Sequence, residues 1–262
     1  MIRRRATIVG MFGATLATAC LDMSAPKGPA SISVLQLPSP SVVVGDVMRD
    51  SNGAPALLSV IAFDADGNPL SGITPQFVIT DSIKFAHFDA NGLLTGDSVG
   101  AVHVLGQIGN LQTPVTTVPI TVAPTSIQLV PAVDTFRVPF THDTTPATTS
   151  VGAVIAGANG TFAQGFVVHF ALTYAPATIA GKSPAVSLRD GDTVSVAGAT
   201  DATGHVSRSL AVIVPFLADS AFAAGQKVDS AVIELTASYK GSPIPGSPIH
   251  LVIPIVVKVP SA

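Results

Sequence analysis

Hydrophobic and polar positions alternate in steps of two along much of the chain beyond residue 30. Phe166, Val168, Phe170 and Leu172 alternate with Val167, His169, Ala171 and Thr173. Ile233, Leu235, Ala237 and Tyr239 alternate with Glu234, Thr236 and Ser238, and Val118, Ile120 and Val122 with Thr117, Pro119 and Thr121. Successive strand side chains point to opposite faces, so this period predicts strands with one buried face and one wet one. The runs are short and bounded by Gly, Asn, Asp and Pro, which predicts turns between antiparallel strands. Helical periodicity is hard to find after the N-terminus. The expected fold class is all-β, built as antiparallel sandwiches.

The pattern also repeats. Residues 62–80 read AFDADGNPLSGITPQFVIT and residues 156–173 read AGANGTFAQGFVVHFALT. In both, a turn glycine (Gly67, Gly160) is followed by a second (Gly72, Gly165), an aromatic (Phe77, Phe170) and a threonine (Thr80, Thr173). Asp89-Ala-Asn-Gly92 then answers Asp201-Ala-Thr-Gly204, about 19 residues later in register, so the second copy carries an insertion. Ala123-Pro124-Thr125 is the natural boundary. It predicts two tandem domains, 31–123 and 124–262.

Certain residues carry a family resemblance. Val42-Val43-Val44-Gly45, then Ala62-x-Asp64-x-Asp66-Gly67-x-Pro69-Leu70, then Asp89-x-Asn91-Gly92-Leu93-Leu94-Thr95-Gly96-x-Ser98-x-Gly100 stand in order. Residues 31–122 thereby resemble a bacterial immunoglobulin-like domain of the invasin/intimin type, group 2. Residues 125–258 resemble the group 1 variety through Gly160, Gly165, Val167, Phe170, Thr200-Asp201-x-x-Gly204 and Ala237-Ser238-Tyr239-x-Gly241. The resemblance implies two tandem immunoglobulin-like β-sandwiches that serve as spacers, stalks or adhesive modules on bacterial surfaces. It implies no catalytic residues. No cofactor is expected, and another surface protein or a glycan is the candidate partner.

The first 30 residues follow a different logic. Arg3, Arg4 and Arg5 precede an uncharged run from Ala6 to Ala19, which ends in small residues. A basic head, a short apolar stretch and a small-residue cut site make a secretory signal, and the run is shorter than the roughly 20 residues of a spanning helix. Leu16-Ala17-Thr18-Ala19-Cys20 resembles the bacterial lipobox, which implies cleavage after Ala19 and a diacylglycerol on the Cys20 thiol. The expectation is a signal peptide over 1–19, a lipid-anchored tether over 20–30, and an exported protein held to the cell envelope. An ordinary signal peptide with a chance cysteine is the alternative reading.

Cys20 is the only cysteine, so no intrachain disulfide forms and burial alone must hold the fold. The three N-terminal arginines leave with 1–19 while no acid does, which takes the formal charge from −3 to −6. An acidic mature chain argues against nucleic acid or anionic lipid as ligand.

Candidate chemistry is sparse. Gly96-Asp97-Ser98-Val99-Gly100 is a formal G-x-S-x-G, but a nucleophile elbow needs a helix after the serine, and Val102-His103-Val104 reads as a strand. Asp64-Ala-Asp66-Gly-Asn68 opens like a calcium loop, yet Pro69 and Pro75 occupy the positions that need Gly and Glu. Asp64, Asp66 and Asp89 are the weak calcium candidates; as turn residues before glycine they need no metal. The six histidines show no paired zinc spacing, and no acid is designated to orient His103. Two functions remain: a non-catalytic structural or adhesive surface lipoprotein, or a lipoprotein that binds a sugar or peptide through the inserted loops Ala175–Thr193 and Phe216–Asp229, with Phe216 and Phe222 expected to be exposed.

Overall fold

The computed structural model describes residues 28–130, 134–218 and 226–258. The expected signal peptide, Cys20, most of the tether and Phe222 lie outside the described residues. The regular structure of the described chain is strand, apart from two single 3-10 turns at Ala158–Gly160 and Val214–Phe216.

Before Ala123 the strands are β1 (Ser31–Ile32), β2 (Val42–Val43), β3 (Ala62–Phe63), β4 (Pro69–Leu70), β5 (Gln76–Ile79), β6 (Ala86–Phe88), β7 (Leu94–Gly96), β8 (Gly100–Ile108), β9 (Leu111–Gln112) and β10 (Thr116–Thr121). One sheet runs β2-β10-β8-β5, with β2 parallel to β10 and the other neighbours antiparallel. β1-β3-β4 and β6-β7 form the facing layer. The ladder begins slightly before Ser31, because the Ala30 N–H donates to the Phe63 carbonyl at 2.8 Å.

After Ala123 come β11 (Pro124–Val130), β12 (Phe136–Pro139), β13 (Ala147–Gly157), β14 (Val167–Tyr174), β15 (Val186–Asp190), β16 (Thr193–Val194), β17 (Ala197–Ala199), β18 (His205–Val212), β19 (Gln226–Thr236), β20 (Ser238–Tyr239), β21 (Ser242–Pro243) and β22 (Ile249–Lys258). Sheet β11-β13-β18-β15-β16 faces sheet β12-β22-β19-β14-β17. β12 lies parallel to the last strand, β22, as β2 lies parallel to β10. A first strand shared between two sheets, with the middle and last strands opposite the second and fifth, is the strand order of the immunoglobulin sandwich. Both halves are immunoglobulin-like.

Alternation decides burial as the sequence predicts. Phe166, Val168 and Phe170 are buried while Val167, His169 and Ala171 are exposed, and Ala231, Ile233, Leu235 and Ala237 line the same core. Leu94, Val102, Val104, Val118 and Ile120 fill the first core. Thr121 departs from the pattern. It is 3 % exposed, although its phase places it outward, because its hydroxyl accepts the Gln164 N–H from the other half at 2.9 Å.

No cysteine ties the second sandwich together, and Arg208 does that work instead. It sits on β18 with its side chain 9 % exposed. Nη2 donates to the Ala197 carbonyl on β17, Nη1 to the Ser207 carbonyl at 2.7 Å and Nε to the Ser195 hydroxyl at 3.2 Å. Its guanidinium lies 5.9 Å from the Phe170 ring centroid, within cation–π range. A strand of one sheet is thus tied to the edge strand of the other. A Cβ at Gly198 would stand 2.5 Å from the Arg208 Nη2, so a larger residue there would displace the guanidinium.

The first inserted loop pairs with the described start of the second. Thr178 bridges Leu217, the Ile179 N–H donates to the Phe216 carbonyl at 2.8 Å, and the Ala218 N–H donates to Ala177 at 3.0 Å. Phe216, expected to be exposed, is half-buried and packs against the second core, with Lys182 Nζ 5.7 Å from its ring centroid. Turn-forming prolines and small residues around it gave no sequence sign of that pairing.

Candidate functional site

The sequence-predicted residues sort themselves by their hydrogen bonds. Asp64, Asp89 and Asp201 each begin the same turn, and Asp50-Ser-Asn-Gly53 is a fourth instance that motif reading missed. In all four, the carboxylate Oδ1 accepts the amide N–H groups two and four residues on, at 2.8–3.1 Å. The glycine in each has positive φ, and its N–H returns to the aspartate carbonyl. This is an Asx turn closed by glycine, which explains the repeated D-x-x-G. The Leu93 amide first, then that of Asn91, holds Asp89 below the usual carboxylate range; the Thr203 hydroxyl leads at Asp201. Asp64 is buried within its turn, and Asp66 is exposed on the same loop. Among the described residues no group of three or more His, Cys, Asp or Glu converges as a metal site.

Ser98 stands exposed on a bend between β7 and β8, and its amide donates to the Phe85 carbonyl at 3.2 Å. A strand follows it, as the sequence predicts. His103 does have an acid beside it: Nδ1 lies 2.8 Å from Asp81 Oδ1, a partner that sequence reading did not find 22 residues away. His87 pairs with Asp97 at 2.9 Å. Ser98→Ala is therefore expected to leave stability within about 0.5 kcal/mol and to leave fluorophosphonate labelling at background. Gly100→Val should cost more, about 1–3 kcal/mol in a thermal or denaturant melt. The reason is not backbone conformation: a Cβ at Gly100 would meet the Phe85 ring at 2.6–2.8 Å.

Polar groups converge instead where the halves meet. β10 ends at Thr121 and β11 begins at Pro124, so only Val122 and Ala123 connect them. Asp46, 9 % exposed, accepts Nε and Nη2 of Arg49, both at 2.8 Å, in a two-pronged ion pair. Arg49 Nη1 donates to the Gly53 carbonyl at 2.7 Å, shaping the Asp50–Gly53 turn. From the other half, the Tyr239 hydroxyl donates to Asp46 Oδ2 at 2.6 Å, and Lys240 Nζ lies 3.3 Å from the same oxygen. Burial pushes the Asp46 carboxyl up, but the bonds from Arg49, Tyr239 and Lys240 outweigh it and hold the group well below the usual range. Burial first, and then the Asp46 bond, drive the Tyr239 hydroxyl well above its ordinary value. A general base needs a proton affinity near working pH, and both groups are moved away from it. One carboxylate thus joins residues of both halves.

Packing completes the joint. Val43 on β2 packs in the second half's core, and Phe166 meets Tyr239 edge-on at 5.9 Å. Gly53, at φ +82°, seats its turn directly on the Lys240–Gly241 backbone, where any side chain would collide. Gly165 is buried against Ser41, whose Cβ would lie 2.5 Å from an added Cβ. The cleft left beside the joint, between Pro38, Arg49, His169 and Lys240, holds about 160 Å³. Its neighbour, past His169 and Ser238 to Pro248, holds about 200 Å³. Both fall below the roughly 300–1,000 Å³ of ligand pockets. No helix among the described residues is long and apolar enough to cross a membrane.

No family model matches the chain, and no curated protein does. Among solved structures it is similar to the S-layer protein SbsC, with 13% identity over 88% of this chain and a TM-score of 0.33. It is similar to the Yersinia pseudotuberculosis adhesin InvE, with 16% identity over 82% and a TM-score of 0.35. It is similar also to invasin, a bacterial integrin-binding protein, with 15% identity over 86% and a TM-score of 0.30. The chain spans 28%, 58% and 39% of those three chains in turn, less than two thirds of each. The immunoglobulin-like reading rests on the strand order above, independently of these likenesses.

Proposed function

We propose that this chain is a non-catalytic lipoprotein of the bacterial envelope whose two immunoglobulin-like domains, 31–123 and 124–262, are held as one rigid structural or adhesive element. Cys20 carries the lipid, and the residues up to 30 form the tether. The observation that carries the reading is the Asp46 joint. Four donors from both halves end on one carboxylate, across a connection two residues long. Such a joint transmits load and fixes direction, which a spacer or stalk requires and an isolated binding module does not. The turn carboxylates serve their own backbones, and the exposed serine of the G-x-S-x-G stands on a bend between strands. Partners of an adhesive tip would be another surface protein or a glycan.

The anchoring part has its own test. Cys20→Ala should move the protein from the membrane fraction to the soluble or secreted fraction and abolish metabolic labelling by a palmitate analogue. Wild-type protein that is never labelled would sink the lipid anchor, leaving the joint untouched.

A further inference from the structure

The two halves differ at one edge. In the second, β14 has its outer edge closed by β17: Val167, Val168 and His169 pair with Ala199, Gly198 and Ala197, and the Phe170 N–H donates to the Val196 carbonyl at 2.7 Å. β17 belongs to the segment by which the second copy is longer. In the first half, β5 occupies the place of β14, pairing with β8 as β14 pairs with β19. Among the described residues nothing pairs with the other side of β5. Its sequence, Gln76-Phe77-Val78-Ile79, holds no charge and no proline, the usual guards of an exposed edge. Val78 is 42 % exposed, whereas Phe77 and Ile79 turn inward onto the first core.

We propose that this edge is a self-association site, closed by β5 of a second copy of the chain running antiparallel about a two-fold axis at Val78. The chemistry that covers the equivalent edge is a short uncharged strand, and β5 is itself one. Register follows from the pleat, since directly opposed residues point to the same face. Pairing Val78 with Val78 of the second copy sets Phe77 opposite Ile79 on the core side and Gln76 opposite Thr80 on the wet side. Pro75 falls beyond the paired residues, where its missing N–H costs nothing. Each exposed valine then gains a cross-strand partner, the unit from which sheet stability is built. The contact is isologous, so it closes at two copies.

The test uses the full exported chain with Cys20→Ser, leaving no other thiol. Sedimentation over a concentration series should show a monomer–dimer equilibrium, weakened at least tenfold by Val78→Lys with no change in melting temperature at dilution. Val78→Cys should cross-link to a dimer under mild oxidation, because opposed strand residues lie within disulfide reach. Val99→Cys, at a position 59 % exposed elsewhere in the same half, should not. A monomer at every concentration, or equal cross-linking at both positions, overturns the proposal and leaves the joint intact.

Discussion

Asp46→Ala is expected to be among the two most damaging substitutions, costing about 3 kcal/mol, because it strips the shared acceptor from Arg49, Tyr239 and Lys240 at once. The loss should appear as uncoupling. Wild-type protein should melt in a single transition, and the variant in two, with the first half released earlier. Asp46→Asn separates charge from shape, since an amide keeps the volume but cannot accept from all the same donors. The pH dependence follows from linkage. A carboxylate with a depressed folded pKa contributes stability above its unfolded value of about 3.9, and loses it as pH falls toward the folded value. The Tyr239 hydroxyl, raised in the fold, contributes stability below about 10 and loses it as pH climbs beyond. The joint should therefore hold constant strength from about pH 4 to pH 10. Asp46→Asn should flatten the acid limb.

Arg208→Ala is the second. It removes three hydrogen bonds and a ring contact from a nearly buried position, and it leaves the Ala197 carbonyl without that donor. A cost of about 2–4 kcal/mol is expected in denaturant unfolding. Arg208→Lys should recover little of it, because an ammonium cannot reproduce the planar fork that reaches Ala197, Ser207 and Ser195 together. Amide hydrogen exchange should show β17 losing protection ahead of β14 in both variants.

These two residues also show what the sequence could and could not disclose. Arg208 was legible in principle: Val206 and Leu210 are buried, so the two-residue period puts Arg208 on the core face, where a charge must find partners. Asp46 was not. Its partner Tyr239 lies 193 residues away, and no local pattern reports a contact of that separation. Tyr239 was in view as part of the Ala237–Gly241 pattern, but as a strand end rather than as a donor. Thr121 and Phe216 failed for the same reason: each is buried by a segment that the alternation around it says nothing about. The alternating strands and the Asp64, Asp89 and Asp201 turns were legible because each is decided within a dozen residues by pleat, glycine and carboxylate.

The two halves should move as one body, and residual dipolar couplings test this most directly. They would be measured on the exported chain with Cys20→Ser, with Val78→Lys added to hold it monomeric. One alignment tensor should fit the amides of 31–121 and 124–258 together, and Asp46→Ala should split it into two of unequal magnitude. Two unequal tensors in the protein with Asp46 intact would contradict the account.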